Sequence, residues 1–191
     1  QVILAPGRFE TPPDVSLSSY AAGQSTTANL SFAISNPIPQ NGHIIVTFPS
    51  NFTSISTSEV VSWGMDGGFI VDVEAYTVTI HRDGSGGEVQ AGSLVTVQLQ
   101  NGIKTQGFEG ATTVFPLVKT TLEDTTISID EASSWYHAAD RPRGLTFTPA
   151  IFARSPTVEL ASLVAGHEGA ATVNLSLSNP LPADGNILVE F

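Results

Sequence analysis

The chain reads as an all-β protein: an immunoglobulin-like β-sandwich repeat followed by the first strands of a second copy. Three observations predict this. Apolar and polar residues alternate with period two over most of the length, as half-buried strands require. Asn-Gly, Asp-Gly and proline-rich segments, which suit tight chain reversal, fall between the alternating runs. Finally, a shift of 143 positions lays Gly144–Phe191 on Gln1–Phe48 without a gap, with 17 of the 48 aligned positions identical.

Taken in order, strands are predicted at Val15–Tyr20, Asn29–Ser35, His43–Phe48, Glu59–Trp63 and Phe69–Glu74. Further strands follow at Tyr76–Arg82, Leu94–Gln100, Thr112–Lys119 and Thr125–Asp130. In the second of these, Leu30, Phe32 and Ile34 share one face, and Val173, Leu175 and Leu177 repeat the pattern in the second copy. Reversals are expected at Asn36–Gly42, Asp83–Gly87 and Asn101-Gly102. Pro116 inside a strand pattern implies an edge or a bulge, because proline donates no ladder hydrogen bond. About nine short strands with such turns favour a sandwich, with a closed barrel as the second architecture.

The repeat divides the chain into a lead-in over 1–13, a complete sandwich over 14–143, a junction over 144–156 and a partial second repeat over 157–191. Trp135, Tyr136, Phe147, Phe152 and Phe9 are expected to pack between neighbouring repeats, the alternative being a long loop folded on its own domain. Residues 157–191 supply too few strands to close a core, so Val158, Leu160, Val173, Leu175, Leu177, Ile187 and Val189 should form an exposed apolar face. A continuing chain is expected to cover it, ahead of donor-strand complementation by a neighbouring subunit. Either way the product is a head-to-tail polymer.

Hydrophobic residues make up 41% of the sequence, enough to fill a core, while charged residues are only 13%. With a net charge of -11 and seven scattered basic residues, the chain is unsuited to nucleic acid or to an anionic membrane surface. No apolar stretch is long enough to span a bilayer. Position 1 is Gln and the only methionine is Met65, the look of a processed, secreted segment or of an excerpt. Cysteine is absent, so neither disulfides nor thiolate metal sites are available.

Three glycosylation sequons stand at Asn29-Leu30-Ser31, Asn51-Phe52-Thr53 and Asn174-Leu175-Ser176. Asn174 aligns with Ser31, two residues along from Asn29, so the first and third sequons are expected on one outward strand face. Asp66, Asp72, Asp83 and Glu123-Asp124 are carboxylates available to calcium, but in no calcium-loop spacing, and turn-making is the simpler account. No metal site and no cofactor other than covalent N-glycans is assigned. His43, His81, His137 and His167 form no zinc motif, and Asp83–Gly87 lacks the first glycine of a nucleophile elbow, so no enzyme is expected. Trp63, Trp135, Tyr76 and Tyr136 are candidates for sugar stacking, although Trp63, alternating with Val61, is read as core.

The motifs Ala22-Gly23, Ser35-Asn36-Pro37-Ile38-Pro39 and Ile44-Ile45-Val46-Thr47-Phe48-Pro49 resemble the tandem immunoglobulin-like repeats of large extracellular proteins from algae and related aquatic microbes. In particular the chain is similar to their glycosylated fibril proteins. The resemblance implies a non-enzymatic, extracellular fibre of stacked sandwiches coated in N-glycans, and brings no catalytic residues. The alternative is an adhesin or carbohydrate-binding module built on the same repeats.

Overall fold

The computed structural model describes residues 5–181 and 183–190. Strands dominate. In chain order they are β1 (Thr11–Leu17), β2 (Ser25–Ala33), β3 (His43–Thr47), β4 (Ser54–Ile55) and β5 (Glu59–Trp63). Next come β6 (Phe69–Glu74), β7 (Thr77–Arg82), β8 (Leu94–Lys104), β9 (Gly110–Ala111) and β10 (Leu117–Thr121). The last are β11 (Ser128–Ser133), β12 (Thr146–Phe147), β13 (Arg154–Leu160) and β14 (Ala171–Ser176), with a single 3-10 turn at Ala138–Asp140.

The first eleven, β9 aside, form two five-stranded antiparallel sheets. One runs β1-β2-β8, with the far edge of β8 shared by β5 and β4; the other runs β11-β10-β3-β7-β6. Because the chain passes repeatedly from one sheet to the other, the result is a sandwich rather than a closed barrel. Cross-strand rows define its interior. Val15, Leu30 and Val97 are neighbours in one row and Leu17, Ala28 and Leu99 in the next, all facing inward. Opposite them stand the rows Val118-Val46-Val78 and Thr120-Ile44-Ile80. One end of the core is aromatic: Phe48 lies 5.3 Å from Phe52 and 5.4 Å from Phe115, and Phe52 lies 5.7 Å from Phe147, all edge-to-face.

Several local expectations change. Asn101-Gly102 does not reverse the chain. It bulges within β8, both residues at left-handed φ (55° and 69°), and breaks the β2–β8 register between Thr26 and Ala28. The bulge lets β8 pair with β5 before it and with β4 after it. The expected strand Thr112–Lys119 splits around Pro116. Thr112 and Phe115 instead donate their amides to the carbonyls of Leu145 and Pro142, and β10 starts at Leu117. The phase of β5 is opposite to the one read: Val60 packs on the core, whereas Trp63 is 52% exposed and pairs with outward-facing Thr96.

Two buried charges hold the loops at the sandwich ends. Arg82 shares the inner face of β7 with Val78 and Ile80, and its guanidinium donates to the carbonyls of Ile38, Pro39, Asp66 and Gly87. Asp130 on β11, fully buried, accepts from the amides of Ser35 and Asn36 at 2.9 and 3.1 Å and from Asn36 Nδ2 at 2.7 Å. Gly7 pairs beside it, where a Cβ would lie 2.3 Å from Asp130 Oδ1, so any side chain at position 7 would displace this lock.

Candidate assembly interface

The second repeat begins to fold as the first does. In β1–β2, Thr11 opposes Ala33, Asp14 opposes Ser31 and Leu17 opposes Ala28, with a register break between Thr11 and Asp14. In β13–β14 the equivalent residues oppose each other: Arg154 with Ser176, Thr157 with Asn174 and Leu160 with Ala171, with the same break. Loop bonds are copied as well. Ser178 Oγ donates to Ile151 O at 2.7 Å, as Ser35 Oγ does to Arg8 O, and Ala153 N bonds Ser176 O as Glu10 N bonds Ala33 O. The hairpin therefore has the same register, bulge included, in both places.

Packing does not follow. Val15 and Leu17 are 5% and 7% exposed, but their counterparts Val158 and Leu160 are 52% and 54% exposed. Ile34, Ile44 and Val46 are inaccessible, yet Leu177, Ile187 and Val189 are 40% exposed or more. The predicted apolar face is present, half-covering Val173 and Leu175. Where β2 lies between β1 and β8, β14 pairs only with β13 among the described residues.

The junction differs from expectation. Phe147 and Phe9 do not pack between repeats; each is 2% exposed in the first core, Phe9 at 5.0 Å from Phe32. The reason is that β12 pairs with β9, and Thr148 exchanges backbone bonds with Tyr20 and Ala22, so the first sandwich extends past residue 143. Trp135 (87% exposed) and Tyr136 lie on the turn after β11, on the opposite sheet from Trp63, while Tyr76 packs on the core; the four aromatics form no common platform. Phe152 alone of the expected set reaches the junction, in a cleft with Ala22, Phe108, Ile151 and Asn179. Asn179, the counterpart of Asn36, donates to Ala22 O at 3.1 Å. That contact was not legible in the sequence, because Asn179 sits in a turn motif whose first copy bonds within its own domain.

Of the sequons, Asn29 and Asn174 stand in strands β2 and β14 on the outward face, Asn174 exposed and Asn29 half-buried. Gln98 Nε2 donates to Asn29 Oδ1 at 2.9 Å, which leaves the Asn29 amide nitrogen without a bond among the described residues. Asn51 differs: its Nδ2 donates to Oε1 of buried Gln106 at 2.7 Å, so the atom that would carry a sugar is engaged in the fold.

Of the carboxylates read as calcium candidates, Asp66, Asp83 and Asp124 serve turns, Glu123 accepts from Asn41 Nδ2, and Asp72 lies in β6. Asp83 accepts from Ser85 Oγ and Ser85 N, which hold its carboxyl below the usual range; Asp124 does the same with Thr126. Asp66 accepts from Gly87 N. Among the described residues, no three His, Asp or Glu side chains converge as metal ligands.

On the outer face of the second sheet, His43 Nε2 and His81 Nδ1 lie 3.2 Å apart, and His81 Nε2 lies 2.9 Å from Asp72 Oδ2. Burial, and then the His81 charge, lower the pKa of His43 below its ordinary value, with Glu123 opposing. The folded state thus favours neutral His43. Its contribution to stability is full above the unfolded value of about 6.5 and is lost as pH falls from there toward the folded pKa. Urea midpoints are expected to drop between pH 7 and pH 5, and His43→Asn, the residue of the second copy at Asn186, should flatten part of that slope. An unchanged slope in the variant would contradict this.

Neither a protein-family model nor a curated protein sequence matches the chain.

Proposed function

We propose that this protein is a structural protomer of an extracellular, N-glycosylated filament or stalk assembled head-to-tail from β-sandwich repeats. The observation that carries the reading is the second repeat. Its hairpin β13–β14 copies the register and bulge of β1–β2, so the sandwich unit recurs in tandem. Tandem copies of one folded unit build arrays in which each unit contacts its neighbours. Head-to-tail self-association of such units would build the polymer. The role is mechanical rather than catalytic.

Glycans fit the same picture at Asn29 and Asn174, which occupy neighbouring pleats of one outward face. In the first repeat that face carries the rows Ser16-Asn29-Gln98-Val61 and Asp14-Ser31-Thr96-Trp63. The exposed Val61 and Trp63 lie two strands from β2, about 10 Å away at normal strand spacing, within reach of a first sugar residue. The surface is short of charge, and sugar would solvate it. Intact-mass and peptide measurements on protein from its native source test this. Treatment with a deglycosylating amidase should remove mass at Asn29 and Asn174 and leave Asn51 unaltered. Unmodified peptides at both positions would remove the glycan part of the proposal.

A further inference from the structure

We propose that the apolar patch of Val61, Trp63 and Leu94, on the outer face of the first sheet, is the seat of a sugar chain carried by Asn29. This rests on the glycosylation reading above and adds where the sugar lies and what it does to the fold. The patch stands apart from its surroundings. Trp63 is 52% exposed and Leu94 61%, and Leu94 lies one pleat from Thr96, the cross-strand partner of Trp63. The rows that end in Val61 and Trp63 otherwise hold only polar residues: Ser16, Asn29 and Gln98 in one, Asp14, Ser31 and Thr96 in the other.

Register sets the reach. Asn29 and Val61 share a row with Gln98 between them, about 10 Å apart, and Trp63 is one pleat or about 7 Å further along β5. Gln100 Nε2 donates to Gln98 Oε1 at 3.3 Å, and Gln98 Nε2 donates to Asn29 Oδ1 at 2.9 Å. This relay of amides steadies the asparagine through its oxygen, while a glycan is attached through the nitrogen. Towards β1 the same row offers only Ser16, with Asp14 one pleat away, and no apolar seat. Towards β5 a sugar passes over Gln98 and meets Val61 and the Trp63 ring. A pyranose is amphipathic: its C–H groups pack on the electron-rich face of an indole while its hydroxyls stay in water. A half-exposed tryptophan among hydroxyls and amides suits that ligand. A protein partner would have to bond every polar group it covered there. The short tether holds the sugar at high local concentration, so weak stacking is enough. Once seated, it shields Trp63 and ties β2, β8 and β5 together across the sheet.

The whole 191-residue chain, secreted from a eukaryotic host, provides the test, with Trp135→Phe leaving Trp63 as its one indole. Acrylamide quenching of its fluorescence is compared with that of the same protein carrying Asn29→Gln, which keeps the sequon at Asn174, and peptide mass spectrometry records occupancy at Asn29. The quenching constant should be about twofold or more higher in the Asn29→Gln protein, because the sugar covers the open face of the ring. That protein should also melt about 2–4 °C lower, and Trp63→Thr should abolish most of the difference. Equal quenching despite full occupancy would overturn this inference and leave the glycosylation reading standing, whether the ring is bare or another molecule covers it. A melting difference unchanged by Trp63→Thr would do the same. An Asn29 that stays unmodified would overturn both.

Discussion

Replacing Phe147 with alanine is expected to lower the stability of the first sandwich by about 3–5 kcal/mol, the range for a fully buried phenylalanine. Phe147 comes from the two-residue strand β12, but its ring fills the end of the core 5.7 Å from Phe52 and 6.4 Å from Tyr20. Truncation leaves a cavity among rigid aromatic rings that cannot easily close over it. For a unit of this size the midpoint of a thermal melt should fall by about 10 °C. Trp135→Ala, at a site 87% exposed, should change it by about 1 °C or less. Equal effects at the two positions would mean that Phe147 belongs to the junction, as the sequence suggested, and not to the core.

Arg82→Met should cost nearly as much, about 3 kcal/mol or more, for a different reason. Methionine can fill the space, yet it abandons the carbonyls of Ile38, Pro39, Asp66 and Gly87, which now share one guanidinium. The nearest carboxylate oxygen, on exposed Asp66, is 3.5 Å away, so these neutral acceptors carry most of the burden. Arg82→Lys keeps the charge but loses the planar fork, and should recover only part of the loss. Chemical denaturation of the three proteins provides the comparison. Full rescue by lysine would show that charge alone matters there.

Most of the fold was legible because one physical rule, the alternation of half-buried strands, governs most of the chain. Glu59–Trp63 and Phe69–Glu74 have the predicted bounds, and other strands differ by a few residues at their ends. Failures occur where alternation is silent. Two-residue strands such as Ser54–Ile55 and Thr146–Phe147 have no period to detect. The direction of β5 could not be fixed, since Val60, Val61 and Trp63 are all apolar and only pairing with β8 chooses the inner face. Asn-Gly suits positive φ in a bulge as well as in a hairpin, so Asn101-Gly102 had two readings. Arg82 did carry a signal: counting by two from Val78 and Ile80 puts it inside. In the second copy, the 143-residue repeat itself revealed the strands that form β13 and β14. The engagement of Asn51 by Gln106 depends on residues 55 apart in sequence, and no motif encodes it.

Electron cryo-microscopy of the native material tests the central claim most directly. The account predicts regular filaments of successive sandwiches, with branching density at Asn29 and Asn174 on one face. Dispersed, bare monomers would contradict it.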